Sequence, residues 1–396
     1  MRVTQSLNQT QFLTSINLLE SSINQTQNQM ASNLSFTTAS QNPTGAGSVN
    51  NYKQALAQSQ QFGTNATSAQ TNLSTEDNAL SQVQTQLQAL RNLALEANSG
   101  ILTNSNLTSI ATQAVQIQNS LLALGNTTNG NGEYIFGGFA AQTQPFTLSA
   151  TGATYNGDQG QRQVQIAAGQ TVADGDNGDT VFNQIKTGNG TFTVSAAAGN
   201  TGNGVVGATT VSNPAAYDGG TYAISFTAPG TYTVTEGATV VTTGTYTDGG
   251  TIAFNGVQVT LSGQPATGDS FSLAPSTNQS LFTTVQNLVN ALQTGLSSSV
   301  SSAGFNNSIN SAINNIDQAL DQTSNVRATI GGRLNSITTQ QSVATSQQTQ
   351  LQQSISNIQG LDYASAITTL DQQNTTLSAA LQAFTLTQGL TLFKFL

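Results

Sequence analysis

FGTNATSAQTNLSTEDNALSQVQTQLQALRNLALEANSG, residues 62–100, decides how this chain folds. Phe62, Ala66, Ala69, Leu73, Leu80, Val83, Leu87, Leu90, Ala94 and Ala97 recur in 4-3 spacing. That spacing lays them along one narrow stripe of a helix for about five heptads. Glu76 is the one polar intrusion, and Asn98-Ser-Gly100 is a stop signal of the expected kind. The other faces carry mostly Gln, Asn, Ser and Thr, so the stripe has to find an apolar partner elsewhere in the chain or in another copy.

Outward from this stretch the rhythm repeats. Leu107, Ile110, Ala114, Ile117, Leu121 and Leu124 predict a second helix ending at Gly125 and forming an antiparallel hairpin with the first. Upstream, Phe12, Ile16, Leu19, Ile23 and Met30 predict an earlier helix that stops near Gln41-Asn-Pro43. Downstream, Leu281, Val285, Leu288 and Leu292 predict a helix ending near Gly295. A long seam then runs from Ile309 through Ile313, Ile316, Leu320, Ile330, Leu334 and Ile337 to Ile358, admitting Thr323, Arg327, Gln341 and Gln348. Gly360 breaks its phase, and Ala364, Ile367, Leu370, Leu377, Leu381 and Phe384 resume it shifted by one residue.

Between these flanks the period changes to two. Five of the six prolines lie at 145 to 275, and 27 of the 37 glycines lie between Gly125 and Gly268. Residues 162–166, 191–194, 221–226, 231–234, 244–247 and 251–254 alternate small polar with β-branched or aromatic side chains and predict strands of an antiparallel sandwich or barrel. The fold class is therefore α + β: long terminal helices build a coiled-coil or bundle rod with an inserted antiparallel β domain. The expected division is 1–50 with 350–396 as terminal assembly helices, 51–145 with 276–349 as the rod, and 146–275 as the β insertion.

Composition narrows the function. There is no His and no Cys, which removes Cys/His zinc sites, thiol nucleophiles, Ser-His-Asp triads and disulfides. Eight basic residues and a net charge of −9 are the wrong balance for nucleic acid or for anionic lipid. No run of about 18 apolar residues exists to span a membrane, and 1–20 lacks the apolar core of a secretory signal, so export without a cleaved signal is expected.

The site-like motifs reduce to bland readings. DGDNGD at 174–179 has Gly178 where a calcium loop needs Asp or Asn, lacks the later Glu, and is expected to be a turn. The Gly-rich 199–204 has no phosphate-loop lysine. No carboxylate pair supports catalysis, so no enzyme and no cofactor is expected. Arg91, Arg327 and Arg333 stand out on helices where charge is scarce. They either make weak surface pairs or fix register between subunits. The two termini are still poorer in charge, with Arg2 and Glu20 in 1–34 and Asp371 and Lys394 in 364–396. Their stripes are therefore expected to associate with other copies. Phe12, Ile16, Leu19, Ile23, Met30, Ile367, Leu370, Leu377, Leu381 and Phe384, with the apolar Leu390, Leu392, Phe393, Phe395 and Leu396, form the expected assembly interface.

Several stretches carry a family likeness. LQALRNLALEAN at 87–98 is similar to the shared helix of flagellin-like proteins, and NTTNGNGEYIFGGF at 126–139 with QPF at 144–146 resembles the hairpin that follows it. YNGDQGQRQVQI at 155–166 and AGQT at 168–171 resemble the FlgL family of flagellar hook-associated proteins more than flagellin. NVRATIGGRLN at 325–335, DYASAI at 362–367 and LTLFKFL at 390–396 agree with that choice. The nearly uncharged SFTTASQNP at 35–43 departs from the family, with Gln and Asn hydrogen bonds expected in place of ion pairs there. The resemblance implies a secreted structural subunit of the hook–filament junction of the bacterial flagellum. It implies a ring of identical copies, contact with the other junction protein and with flagellin, a cytoplasmic export chaperone, and folding of the termini on assembly. A flagellin is the alternative within the class, and a secreted coiled-coil adhesin the alternative outside it.

Overall fold

The computed structural model describes residues 2–99, 103–296 and 301–389. Six helices flank a run of short strands: α1 (Arg2–Ser32), α2 (Pro43–Ala97), α3 (Asn104–Gly125), α4 (Leu281–Thr294), α5 (Ser302–Gln359) and α6 (Tyr363–Gly389). Two compact units emerge, one from Met1–Thr64 with Gln340–Leu396 and one from Asn65–Thr339. Both α2 and α5 contribute residues to each.

Local chemistry sets the helix ends. Asn33 adopts φ 56°, a conformation Asn tolerates, and ends α1 ten residues before Pro43 rather than beside it. Pro43 opens α2, with Asn42 Oδ1 accepting the Gly45 N–H at 2.9 Å. Thr103 caps α3 and Ser280 caps α4 through their hydroxyls. The break at Gly360 is real: Leu34 and Gly360 form an isolated β-bridge, and Asp362 Oδ1 then accepts the Ala364 N–H at 3.0 Å to start α6.

In the unit formed by Asn65–Thr339, the opening stretch behaves as its spacing demands. Leu73, Leu80, Val83, Leu87, Leu90 and Ala94 are buried and meet Ile110, Ala114 and Leu121 of α3, Val285, Leu288 and Leu292 of α4, and Ile309, Ile316, Ile330 and Ile337 of α5. Each such Leu or Val is worth roughly 1.5–3 kcal/mol on leaving water. Helix α3 packs chiefly against α4, where Gln118 donates to Gln286 at 2.8 Å.

The stretch 146–275 feeds two cores rather than one. Hairpins β1 (Phe146–Ser149) with β2 (Gly152–Tyr155) and β3 (Gln163–Ala167) with β4 (Gln170–Ala173), and a π turn at Asp179–Asn183, pack into the helical core. The Phe146 ring lies 4.8 Å from that of Phe282 of α4, tilted by 48°, and 5.4 Å edge-on from Phe182. Gly152, at φ 121°, turns this hairpin where an added Cβ would strike the Phe282 backbone. The short β5 (Ile185–Lys186) pairs with β14 (Asn278–Gln279) where the chain leaves and re-enters.

The second core lies between two antiparallel sheets. β6 (Phe192–Ala196), β8 (Tyr222–Ala228), β9 (Thr231–Glu236), β10 (Thr239–Thr245) and β13 (Ser270–Pro275) form one in the order β10-β9-β8-β13-β6. β7 (Val205–Val211), β11 (Thr251–Phe254) and β12 (Val257–Ser262) form the other in the order β11-β12-β7. Tyr222, Ile224, Phe226 and Phe271 of the first sheet share their core with Ile252, Val257, Val259 and Leu261 of the second, which makes a sandwich. Asparagines hold it to α5: Asn307 accepts the Val206 N–H at 2.8 Å, and Asn310 donates to the Val206 carbonyl at 2.9 Å. Among the described residues, no helix is long and apolar enough to cross a membrane.

Candidate assembly interface

In the unit formed by Met1–Thr64 and Gln340–Leu396, α1 and α6 run antiparallel. Phe12 stacks on Phe384 with centroids 4.8 Å apart and planes 8° from parallel. Further along, Thr26 meets Gln373, and Tyr363 Oη donates to the Met30 carbonyl. The inward face of α1 is Phe12, Ile16, Leu19, Ile23, Thr26 and Met30, and that of α6 is Ala366, Leu370, Gln373, Leu377, Ala380 and Phe384. Both follow 4-3-4-3-4, the pattern of a coiled-coil seam.

Each seam holds one polar residue, and the two meet. Thr26 Oγ1 donates to Gln373 Oε1 at 3.1 Å, and Gln373 Nε2 donates to Ser22 Oγ at 2.8 Å. Partnered polar groups in an apolar seam fix register, because any slip leaves them unpaired. Below them, Ser35 N–H donates to the Gln359 carbonyl at 2.8 Å and Gln359 Nε2 to the Phe36 carbonyl at 3.2 Å. Apolar spacing in α1 and α6 does not mark Thr26 and Gln373; the 4-3 rhythm of their neighbours is the signal that places them in the seam.

Ile367 and Leu381, grouped with the seam from sequence, flank this stripe on α6 and are 47% and 46% exposed. On α1, Leu7 is 64% and Leu18 67% exposed and Leu13 is exposed as well, and on α6 Leu386 is exposed. The helix pair therefore satisfies one apolar face internally and presents leucines outward with almost no charge around them. Leu390, Leu392, Phe393, Phe395 and Leu396 lie outside the described residues.

Arg91, Arg327 and Arg333, all in the other unit, are paired within the chain. Arg91 of α2 donates Nε to Asp317 of α5 at 2.5 Å. Arg327 of α5 donates Nε to Asp77 at 2.8 Å and Nη1 to Gln84 at 2.8 Å, both on α2. Arg333 grips Asp176 with Nη1 at 2.9 Å and Nη2 at 3.0 Å. Hydrogen bonds to Asp317 and Asp77 raise the guanidinium pKa of Arg91 and Arg327 above the ordinary value. The Arg91 and Arg327 pairs join α2 to α5 within one chain. The turn at 174–179 is engaged likewise: Arg162 Nη2 lies 2.7 Å from Asp174, and Asp179 accepts from Gln159 at 3.1 Å. Among the described residues, no group of three or more Asp or Glu is placed to hold a metal ion.

Comparison with known proteins agrees with this architecture. The family of the bacterial flagellin N-terminal helical region matches residues 3–141, and that of the bacterial flagellin C-terminal helical region matches 313–396. The D2-like domain of flagellar hook-associated protein 1 matches 195–275, within the stretch that forms the sandwich. Flagellar hook-associated protein 3 of Salmonella typhimurium is 34% identical over 157 residues, 40% of this chain and 49% of that protein, so the match spans about half of the relative's length. The crystal structure of Xanthomonas campestris FlgL superposes with a TM-score of 0.72 at 33% identity, covering 77% of this chain and 99% of that one. That of hook-associated protein 3 from Legionella pneumophila gives 0.74 at 30%, covering 78% and 98%. This chain belongs to the FlgL family of flagellar hook-associated proteins.

Proposed function

We propose that this chain is a non-enzymatic structural subunit of the bacterial flagellum, placed at the junction between hook and filament. Copies associate through the outward face of the α1–α6 pair into a ring, with the other junction protein on one side and flagellin on the other. The observation that carries this reading is the exposed, nearly uncharged leucine face of a helix pair whose inner seam is already satisfied. Such a face costs solubility unless neighbours cover it. Covering one leucine yields roughly 1.5–3 kcal/mol, so a handful of positions repeated around a ring supplies the binding energy.

The same face accounts for export unfolded with a cytoplasmic chaperone: a chain without disulfides threads freely, and the chaperone keeps the apolar 390–396 and the α6 face apart from other copies until release. The test is deletion of residues 364–396. Hook–filament attachment and motility are lost while the β sandwich stays folded; retained motility overturns the proposal. Purified full-length chain that polymerises alone into long filaments would point to a filament subunit instead.

A further inference from the structure

Glu76, the one polar residue in the opening stripe, is 1% exposed in the helical core. Both of its carboxylate oxygens accept the Asp176 N–H at 3.3 Å, which ties α2 to the segment after β4. The charged groups facing it come from every element around it. Asp174 and Asp176 stand on that segment, Arg333 on α5, Arg162 just before β3, and Glu133 beside Tyr134 on the hairpin after α3. Asp77, next to it on α2, is committed to Arg327.

Both nearby cations are already taken. Arg333 makes two bonds to Asp176, and Arg162 makes two to Asp174 and lies 3.9 Å from Glu133. Among the described residues, no ion pair includes Glu76. A buried carboxylate beside two aspartates, with no cation of its own, is costly when ionised and tolerable when neutral. Burial, and then Asp176 and Asp174, push its pKa well above the ordinary value, while Arg333 and the Asp176 N–H pull the other way.

We propose that Glu76 is a proton-operated latch: as the neutral acid it lets residues 174–178 seat against α2 and α5, and as the carboxylate it loosens them. In the unfolded chain the group titrates near about 4.3. The folded state binds the additional proton, so this contribution is complete below the ordinary carboxylate range. It is lost as pH rises through the raised folded value.

The full chain has only five glutamates, Glu20, Glu76, Glu96, Glu133 and Glu236. Titration with a 13C label at the glutamate carboxyl should show one signal moving well above the ordinary carboxylate range, and that signal should vanish in Glu76→Gln. Over the same interval, hydrogen exchange at the Asp176 amide, corrected for its intrinsic rate, should lose protection relative to the Leu87 amide. The loss is about tenfold for each unit by which the pKa is raised. Glu76→Gln should hold a constant ratio across that interval. No glutamate signal moving above the ordinary carboxylate range in wild type, or an unchanging Asp176 to Leu87 ratio, would overturn the latch, and neither readout needs the variant to fold.

Discussion

Arg91 and Arg333 each hold an aspartate with two nitrogens, yet their surroundings differ. Arg91 and Asp317 are both more than a third exposed, whereas Arg333 and Asp176 are largely enclosed beside Glu76. Water screens the first pair, so Arg91→Ala should cost less than about 1 kcal/mol. Removing Arg333 strands Asp176 next to a second buried acid, and Arg333→Ala should cost about 3–5 kcal/mol. Denaturant unfolding of the two variants ranks them, and equal losses would contradict this account. The arginines were legible in the sequence because charge is so scarce. Their partners were not: Asp77 and Asp176 lie some 250 and 157 positions from Arg327 and Arg333, and only the fold brings them together. Glu76 was visible as a flaw in a regular stripe, but the acids that make it costly come from a distant turn.

Among elements, the long helices were the most legible, because period and phase survive in any context that buries one stripe. Leu87 illustrates the strength of that signal: it is fully buried at the centre of the seam, and Leu87→Ala should cost about 2–5 kcal/mol in chemical denaturation. Spacing of apolar residues says least where a seam is completed by small or polar residues. Ala366 and Gln373 belong to the inner face of α6, while Ile367 and Leu381, more apolar, flank it and are exposed. A double-mutant cycle on Thr26→Val and Gln373→Leu should show a coupling of about 0.5–1.5 kcal/mol; no coupling would deny that the pair fixes register. Strands were legible where aromatic residues alternate with threonine, as in β8 and β9. β7, where Gly207 interrupts the alternation, was missed, and so were β12 and β13, although VQVTLS and SFSLAP alternate apolar with polar residues. The division of 146–275 between two cores could not be read at all, since which core a hairpin joins depends on tertiary contacts.

At the scale of the whole molecule, the sandwich and helical core are closed by their own packing, and the terminal pair is not. In the free chain, the amides of α1 and α6 should exchange faster than those of 62–124, because one of their faces meets water instead of a neighbour. Assembly should slow the first set and leave the second nearly unchanged. The most direct test uses the absence of cysteine from this chain. Leu18→Cys and Ile367→Cys each place a single thiol on the outward face of the helix pair, where the native side chains are exposed. Reaction with a soluble thiol reagent is then timed in the free chain and in isolated hook–filament junctions. If neighbouring copies cover this face, both thiols react readily when free and at least about tenfold more slowly when assembled, a factor that corresponds to ~1.4 kcal/mol of protection. Equal rates in the two states would contradict it.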